Sequence, residues 1–226
     1  MGKTNRVAIS YSKPKPYCSK KVVNINKVET FPNWLGNFSS LKALTIRDCL
    51  GLKYLPSGLS FSTTLEELTI RTCPNLVSNN LDEVLSGLAR LKKLRIGPFS
   101  EELEEFPGLS SIHNLSTSLE VLHLYGWEKL TQLPHQIQHL IALRRLFIWN
   151  FHSVESLPEW LGNLSSLEHL FISRCNNTKH LPSAEAIQCL SNLNYLRIED
   201  CPEIETRCGK WSRVVQDFSH YRHLHE

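Results

Sequence analysis

At 226 residues the chain is long enough for one domain or two small ones, and 41% hydrophobic with 21% charged residues exclude disorder as its dominant state. A net charge of +3 without any Lys/Arg-rich run excludes a nucleic-acid footprint as the default partner. No apolar stretch approaches the roughly eighteen residues of a membrane span, and none follows the basic N-terminus as a secretory leader would, so no membrane partner and a cytoplasmic location are expected.

Residues 1–29 carry no apolar period and are expected to form an irregular N-terminal segment, leaving the first repeat after them without the polar cap that protects a repeat array. Gly2-Lys3-Thr4 has the ending of a phosphate-binding loop but neither its first glycine nor its flanking strand and helix, so no nucleotide site is read there. From residue 30 to 208 one phrase returns seven times, Leu-x-x-Leu-x-Ile/Leu, beginning at Leu41, Leu65, Leu91, Leu119, Leu143, Leu167 and Leu193. The steps between these leucines are 24, 26, 28, 24, 24 and 26 residues. Within each phrase the alternation of apolar and variable residues predicts one short, half-buried strand. Leu81, Val84, Leu85 and Leu88, then Ala186, Ile187 and Leu190, have the three-and-four spacing of short helices between strands.

Five residues after the second leucine of each phrase stands Cys49, Cys73, Phe99, Trp127, Phe151, Cys175 or Cys201, where the chain is expected to turn inward. The cysteines recur in the repeat rather than in pairs, so they read as reduced, buried thiols; the aromatic residues at the middle three predict a wider or distorted turn. Leu-Pro or Phe-Pro steps, such as Leu55-Pro56 and Leu157-Pro158, then end strand pairing. These elements predict an α/β architecture: a leucine-rich-repeat solenoid, or curved horseshoe, of about seven repeats, with a parallel concave sheet and an irregular, short-helical convex side. Residues 209–226 are left as a C-terminal tail. Seven strands about 4.8 Å apart make a ribbon roughly 30 Å long, the size of a protein epitope.

Alternation also sorts out the residues facing away from the core. The first three strands present small and basic side chains, among them Arg47, Arg71 and Arg95, and the last four present Tyr125, Arg145, Phe147, Trp149, His169, Phe171, Tyr195 and Arg197. Trp, Tyr and Arg dominate binding hot spots, and large aromatic residues turned to water are unfavourable, so this set predicts a partner-binding ridge. The blander reading is that the rings pack on one another across strands.

The run Phe31-Pro-Asn-Trp-Leu-Gly-Asn-Phe-Ser-Ser-Leu41, its echo Leu157-Pro-Glu-Trp-Leu-Gly-Asn-Leu-Ser-Ser-Leu167, and the closing Ile198-Glu-Asp-Cys-Pro-Glu-Ile204 resemble the repeat region of plant nucleotide-binding leucine-rich-repeat disease-resistance proteins of the coiled-coil class. The resemblance covers about residues 30–208 and is specific in style, since extracellular plant receptors usually carry Asn at the buried turn and a Gly-x-Ile-Pro step. It implies a module that senses a pathogen effector or host protein, or holds a neighbouring nucleotide-binding domain at rest, in a truncated relative or gene fragment without the coiled-coil and nucleotide-binding domains. A substrate-recruiting repeat of a ubiquitin-ligase adaptor is the alternative, and it would require an F-box-like helical segment that residues 1–29 are too short and polar to supply.

No other chemistry is motivated. Cys201, Cys208, His220 and His223 have spacings outside those of zinc sites, and no Ser/His/Asp or Cys/His set stands out, so neither metal, cofactor, small-molecule substrate nor catalysis is expected. The sequons at Asn37 and Asn163 belong to the repeated Gly-Asn-x-Ser-Ser phrase, and with no leader those at Asn114 and Asn176 are not read as glycan sites either. Glu101, Glu102, Glu104 and Glu105 read as a solvated loop, with a docking patch for a basic domain as the sharper version.

Overall fold

The computed structural model describes residues 9–12, 19–23, 29–30 and 41–208. The tail 209–226, Gly2-Lys3-Thr4, the Phe31-Pro32 step, Asn37, and His220 with His223 lie outside the described residues.

One sheet holds nine strands in chain order. The seven expected strands are β3 (Ala43–Arg47), β4 (Glu67–Arg71), β5 (Lys93–Ile96), β6 (Val121–Tyr125), β7 (Arg145–Trp149), β8 (His169–Ser173) and β9 (Tyr195–Glu199). All pair in parallel and in one register, so Leu44, Leu68, Leu94, Leu122, Leu146, Leu170 and Leu196 line up from strand to strand. All seven are buried, and each contributes roughly 1.5–3 kcal/mol against the ordering of the chain.

The segment 1–29, expected to be irregular, contributes β1 (Ile9–Ser12) and β2 (Ser19–Val23). Strand β2 runs parallel to β3 with Lys20 opposite Leu44 and Val22 opposite Ile46, and β1 folds back antiparallel on β2. The first expected repeat therefore does not begin with a bare edge. Backbone pairing needs no apolar period, and a lysine at the leucine position hides this strand from a search for hydrophobic spacing.

The opposite side of the sheet carries short helical pieces: α1 (Ser78–Gly87), α2 (Ala184–Cys189) and α3 (Pro202–Cys208), with 3-10 turns at Ser57–Phe61, Ile112–Leu115, His135–His139 and Glu159–Asn163. Pro56, Pro134 and Pro158 open three of these turns, as their fixed φ allows. Ser183 caps α2 by accepting from the Ala186 amide, while Glu159 of the preceding repeat accepts from the Ser183 amide at 2.9 Å.

The inward turn has a shared backbone. Asp48, Thr72, Asn150, Arg174 and Asp200 all have φ between 53° and 60°, a left-handed conformation that residues other than glycine adopt rarely. At the first four, the strained residue's amide donates across the repeat, as Asp48 does to the Arg71 carbonyl at 3.0 Å, and the bond offsets the strain. The next residue is buried in every repeat. Where it is cysteine, its thiol donates to the carbonyl two residues back, at 3.1 Å in Cys49 and 3.3 Å in Cys73. These cysteines are thus donors as well as small apolar fillers. The Cys73 thiol is pushed up by its hydrogen bond to Cys49 and then by burial, and the Cys175 thiol by its bond to Cys201 and then by burial.

The expected distortion at the aromatic turns occurs in two of three. Before Phe99 the positive φ moves to Gly97, at 87°, and Gly126 before Trp127 is outside the left-handed group; before Phe151, Asn150 repeats the turn of the cysteine units. Phe99, Phe106, Trp127 and Phe151 form one buried cluster, with Phe106 stacked on Phe151 at 6.2 Å and 15°.

Just before each of β3 to β9 runs a row of alternating charge: Lys42, Glu66, Lys92, Glu120, Arg144, Glu168, ending at Asn194. Every rung's amide donates to the carbonyl of the rung before it, at 2.8–3.0 Å. Lys42 pairs with Glu66 at 2.9 Å, and Arg144 Nε reaches Glu168 at 2.9 Å. Arg144 holds the Glu168 carboxyl below the usual range, and Lys42 does the same to Glu66.

Candidate functional site

The helix-free face of the sheet presents the outward residues in three rows across the strands. In the third row Arg47, Arg71, Gly97, Tyr125, Trp149, Ser173 and Glu199 follow one another. Gly97 has no side chain, so Arg71 reaches over the neighbouring strand and lays its guanidinium on the Tyr125 ring, 3.7 Å from the centroid. Tyr125 stacks on Trp149 at 6.2 Å and 11°, and Trp149 meets Phe171 at 4.6 Å. In the middle row His123 lies flat on Phe147, with centroids 4.0 Å apart and planes within 5°.

The structure brings Tyr125, Phe147, Trp149 and Phe171 together as one platform over β6–β8, joined by His123. Tyr125, Phe147 and Trp149 are half-buried. Phe171, expected to point to water, is only 8% exposed because its neighbours cover it. Arg145 is exposed at one side. His169 tilts against Tyr195 at 5.5 Å, and Arg197 is bound to Glu199 beside it, so these form a separate, more polar end. Alternation places His123 outward but gives no sign of its central stacking, which only the register reveals.

Electrostatics divide the same face. Arg47, Arg71, Lys93 and Arg95 lie on β3–β5, and Glu67, the acid among their outward neighbours, contacts Lys93 at 3.8 Å. His123 is pushed down to about 3 from its ordinary 6.5, first by burial and then by Arg95, Lys93 and Arg71. It is neutral at physiological pH.

Three buried nitrogens on this face, Arg71 Nε, His123 Nδ1 and Trp149 Nε1, have no hydrogen-bond partner, out of six such side-chain atoms among the described residues. Each unpaired group of this kind destabilises a fold by about 1–3 kcal/mol.

Elsewhere, the acidic loop Glu101–Glu105 is exposed and Glu102 pairs with Lys129 at 2.6 Å. Glu104, Glu105, Phe106, His135 and Gln136 border a shallow groove beside it. Among the described residues no cluster of His, Cys, Asp or Glu could hold a metal ion, and no helix is long and apolar enough to cross a membrane.

A family model of R13L1/DRL21 leucine-rich repeats matches residues 140–201, which include β7, β8 and β9. Among solved structures, the leucine-rich-repeat domain of the type III effector XopL superposes with a TM-score of 0.60 at 22% identity, covering 85% of this chain and 71% of that one. The chain is a leucine-rich-repeat solenoid. An internalin, InlF from Listeria monocytogenes, aligns with a TM-score of 0.51 at 20% identity over 81% of this chain and 49% of its own. No curated protein matches the chain. Leucine-rich repeats are in general protein-interaction modules, and the platform lies on the strand face that such a solenoid leaves open.

Proposed function

We propose that this solenoid is the protein-recognition module of an intracellular plant immune receptor, binding a pathogen effector, a host protein or a neighbouring receptor domain through its concave face. The observation that carries this reading is where the fold departs from maximum stability. Among the described residues, three of the six buried side-chain nitrogens and oxygens without a hydrogen-bond partner, Arg71 Nε, His123 Nδ1 and Trp149 Nε1, belong to the concave platform or to the arginine lying on it. A surface kept only to close a core would be apolar or fully paired; local rules broken together at one place mark a site selected for binding. The R13L1/DRL21 match at 140–201 supports a role in plant defence and covers β7 and β8, two of the three strands of the platform.

The test is capture from plant cytosolic extract by the wild-type chain and by Phe147→Ala/Trp149→Ala, both substitutions being half-exposed, after circular dichroism has confirmed that the variant is folded. Loss of specific protein partners in the variant is expected. The same partners on both proteins would remove the concave face from the reading, and capture of ubiquitin-ligase core subunits would replace the immune role with that of an adaptor.

A further inference from the structure

We infer that the concave face recognises an extended protein segment that carries carboxylates a few residues away from an aromatic side chain. The inference rests on the concave recognition proposed above and specifies its ligand.

Ion pairing is the habit of this solenoid: among the described residues eight cationic side chains have a carboxylate within reach. Arg47, Arg71, Arg95 and Arg145 on the concave face have none among the described residues. The first three stand on consecutive strands, β3, β4 and β5, and Arg71 also keeps a buried Nε unpaired. The depressed His123, lowered by Arg95, Lys93 and Arg71 after burial, reports a positive potential that extends as far as β6. Guanidinium groups without counter-charge match carboxylates through paired N–H donors.

Next to this basic floor lies the aromatic one. Its rings are preorganised by stacking, so a partner's aromatic or apolar side chain settles on it without ordering it further. The centres of the two floors, β4 and β7, are three strands apart, about 14 Å at about 4.8 Å per strand. An extended chain crossing the strands covers that distance in about four residues. The ligand therefore has its acids about four positions from its aromatic residue. Arginine beside aromatic rings also suits single-stranded nucleic acid. Glu67 and Glu199 on the same face, with the chain's net charge of only +3, favour the discrete charges of a peptide over a continuous phosphate backbone.

The experiment is fluorescence anisotropy with the full chain. The probe is a fluorescein-labelled synthetic peptide of a short glutamate block, a Gly-Ser spacer and a Tyr-Phe pair; the comparison probes replace glutamate by lysine, or Tyr-Phe by alanine, and an oligothymidylate serves as competitor. The glutamate peptide is expected to bind, more weakly as salt rises, and to lose about tenfold or more in affinity with Arg47→Glu/Arg95→Glu. Arg90→Glu, an exposed arginine away from this face, makes half of that change in net charge and leaves binding unchanged. Equal binding of the glutamate and lysine peptides, no effect of Arg47→Glu/Arg95→Glu, or tighter binding of oligothymidylate overturns the inference. If capture from extract still depends on Phe147 and Trp149 while the peptide result is negative, concave recognition stands and only its acidic ligand falls; if capture does not depend on them, the broader reading falls.

Discussion

Replacing Phe151 by cysteine would make its repeat conform to the cysteine units, yet it is expected to be among the most damaging substitutions in the chain. Phe151 is fully buried and stacks on Phe106, and Gly126 of the preceding repeat is shaped to it: a Cβ there would meet the ring at 2.8 Å. Removing a buried phenylalanine to alanine destabilises by about 3–5 kcal/mol, and the one sulfur retained reduces this to roughly 2–4 kcal/mol. Spread over a chain of this size, that lowers the melting temperature by roughly 5–15 °C. Gly126→Ala alone overpacks the same contact and should destabilise by about 1–3 kcal/mol. In a Phe151→Ala background the ring is gone, Cγ included, and of the three atoms nearest the added methyl only the Asn150 carbonyl remains, at 3.0 Å. A double-mutant cycle read from urea titrations should therefore show a favourable coupling of at least about 1 kcal/mol. Additive effects, or a Phe151→Cys loss below about 1 kcal/mol, would refute the idea that glycine and phenylalanine form one joint across two repeats.

Three further outcomes are expected. Because the folded chain holds His123 neutral down to about pH 3 while the unfolded chain protonates it near 6.5, its contribution is complete above that value and is lost as pH falls toward 3. The urea midpoint of His123→Phe should thus fall less than that of wild type between about pH 7 and pH 5, where carboxylates remain charged; parallel curves would contradict the assigned burial. Thr178→Val removes a buried hydroxyl that donates to the Val154 carbonyl at 2.7 Å and should destabilise by about 1–3 kcal/mol in the same titration, whereas Thr178→Ser should retain most of the stability. Arg144→Glu places three acids in succession beside the strands, and its lower urea midpoint in dilute buffer should recover in about 0.5 M salt, unless the ladder adds nothing.

The repeat was legible because its leucines obey two rules at once, a strand period within each phrase and a near-constant step between phrases. Wherever both held, β3–β9 are found where they were expected. Strand β2 escaped because it satisfies only the second rule: it lies 24 residues before β3 but has Lys20 where the others have leucine. The outward residues were legible as a set, since alternation fixes which side they take. Their division into an open platform, a covered Phe171 and a self-paired Arg197 was not, because it depends on which side chains on neighbouring strands are long enough to meet. Arg71 shows this most clearly: its contact with Tyr125 exists because Gly97 leaves the intervening strand without a side chain.

The seven aligned leucines are interchangeable, so they alone do not tell a strand which repeat is its proper neighbour. A folding chain that skipped one repeat and paired β5 directly with β7 would keep leucine on leucine, but it would set Lys92 beside Arg144; pairing β4 with β6 would set Glu66 beside Glu120. The alternating row of charge beside the strands therefore acts as a parity check: from Lys42 to Glu168 correct neighbours differ in sign, and omitting one repeat between them brings like signs together. Such a check constrains how the array can change length. A repeat inserted or deleted singly breaks the alternation, whereas units added or lost two at a time pass unnoticed.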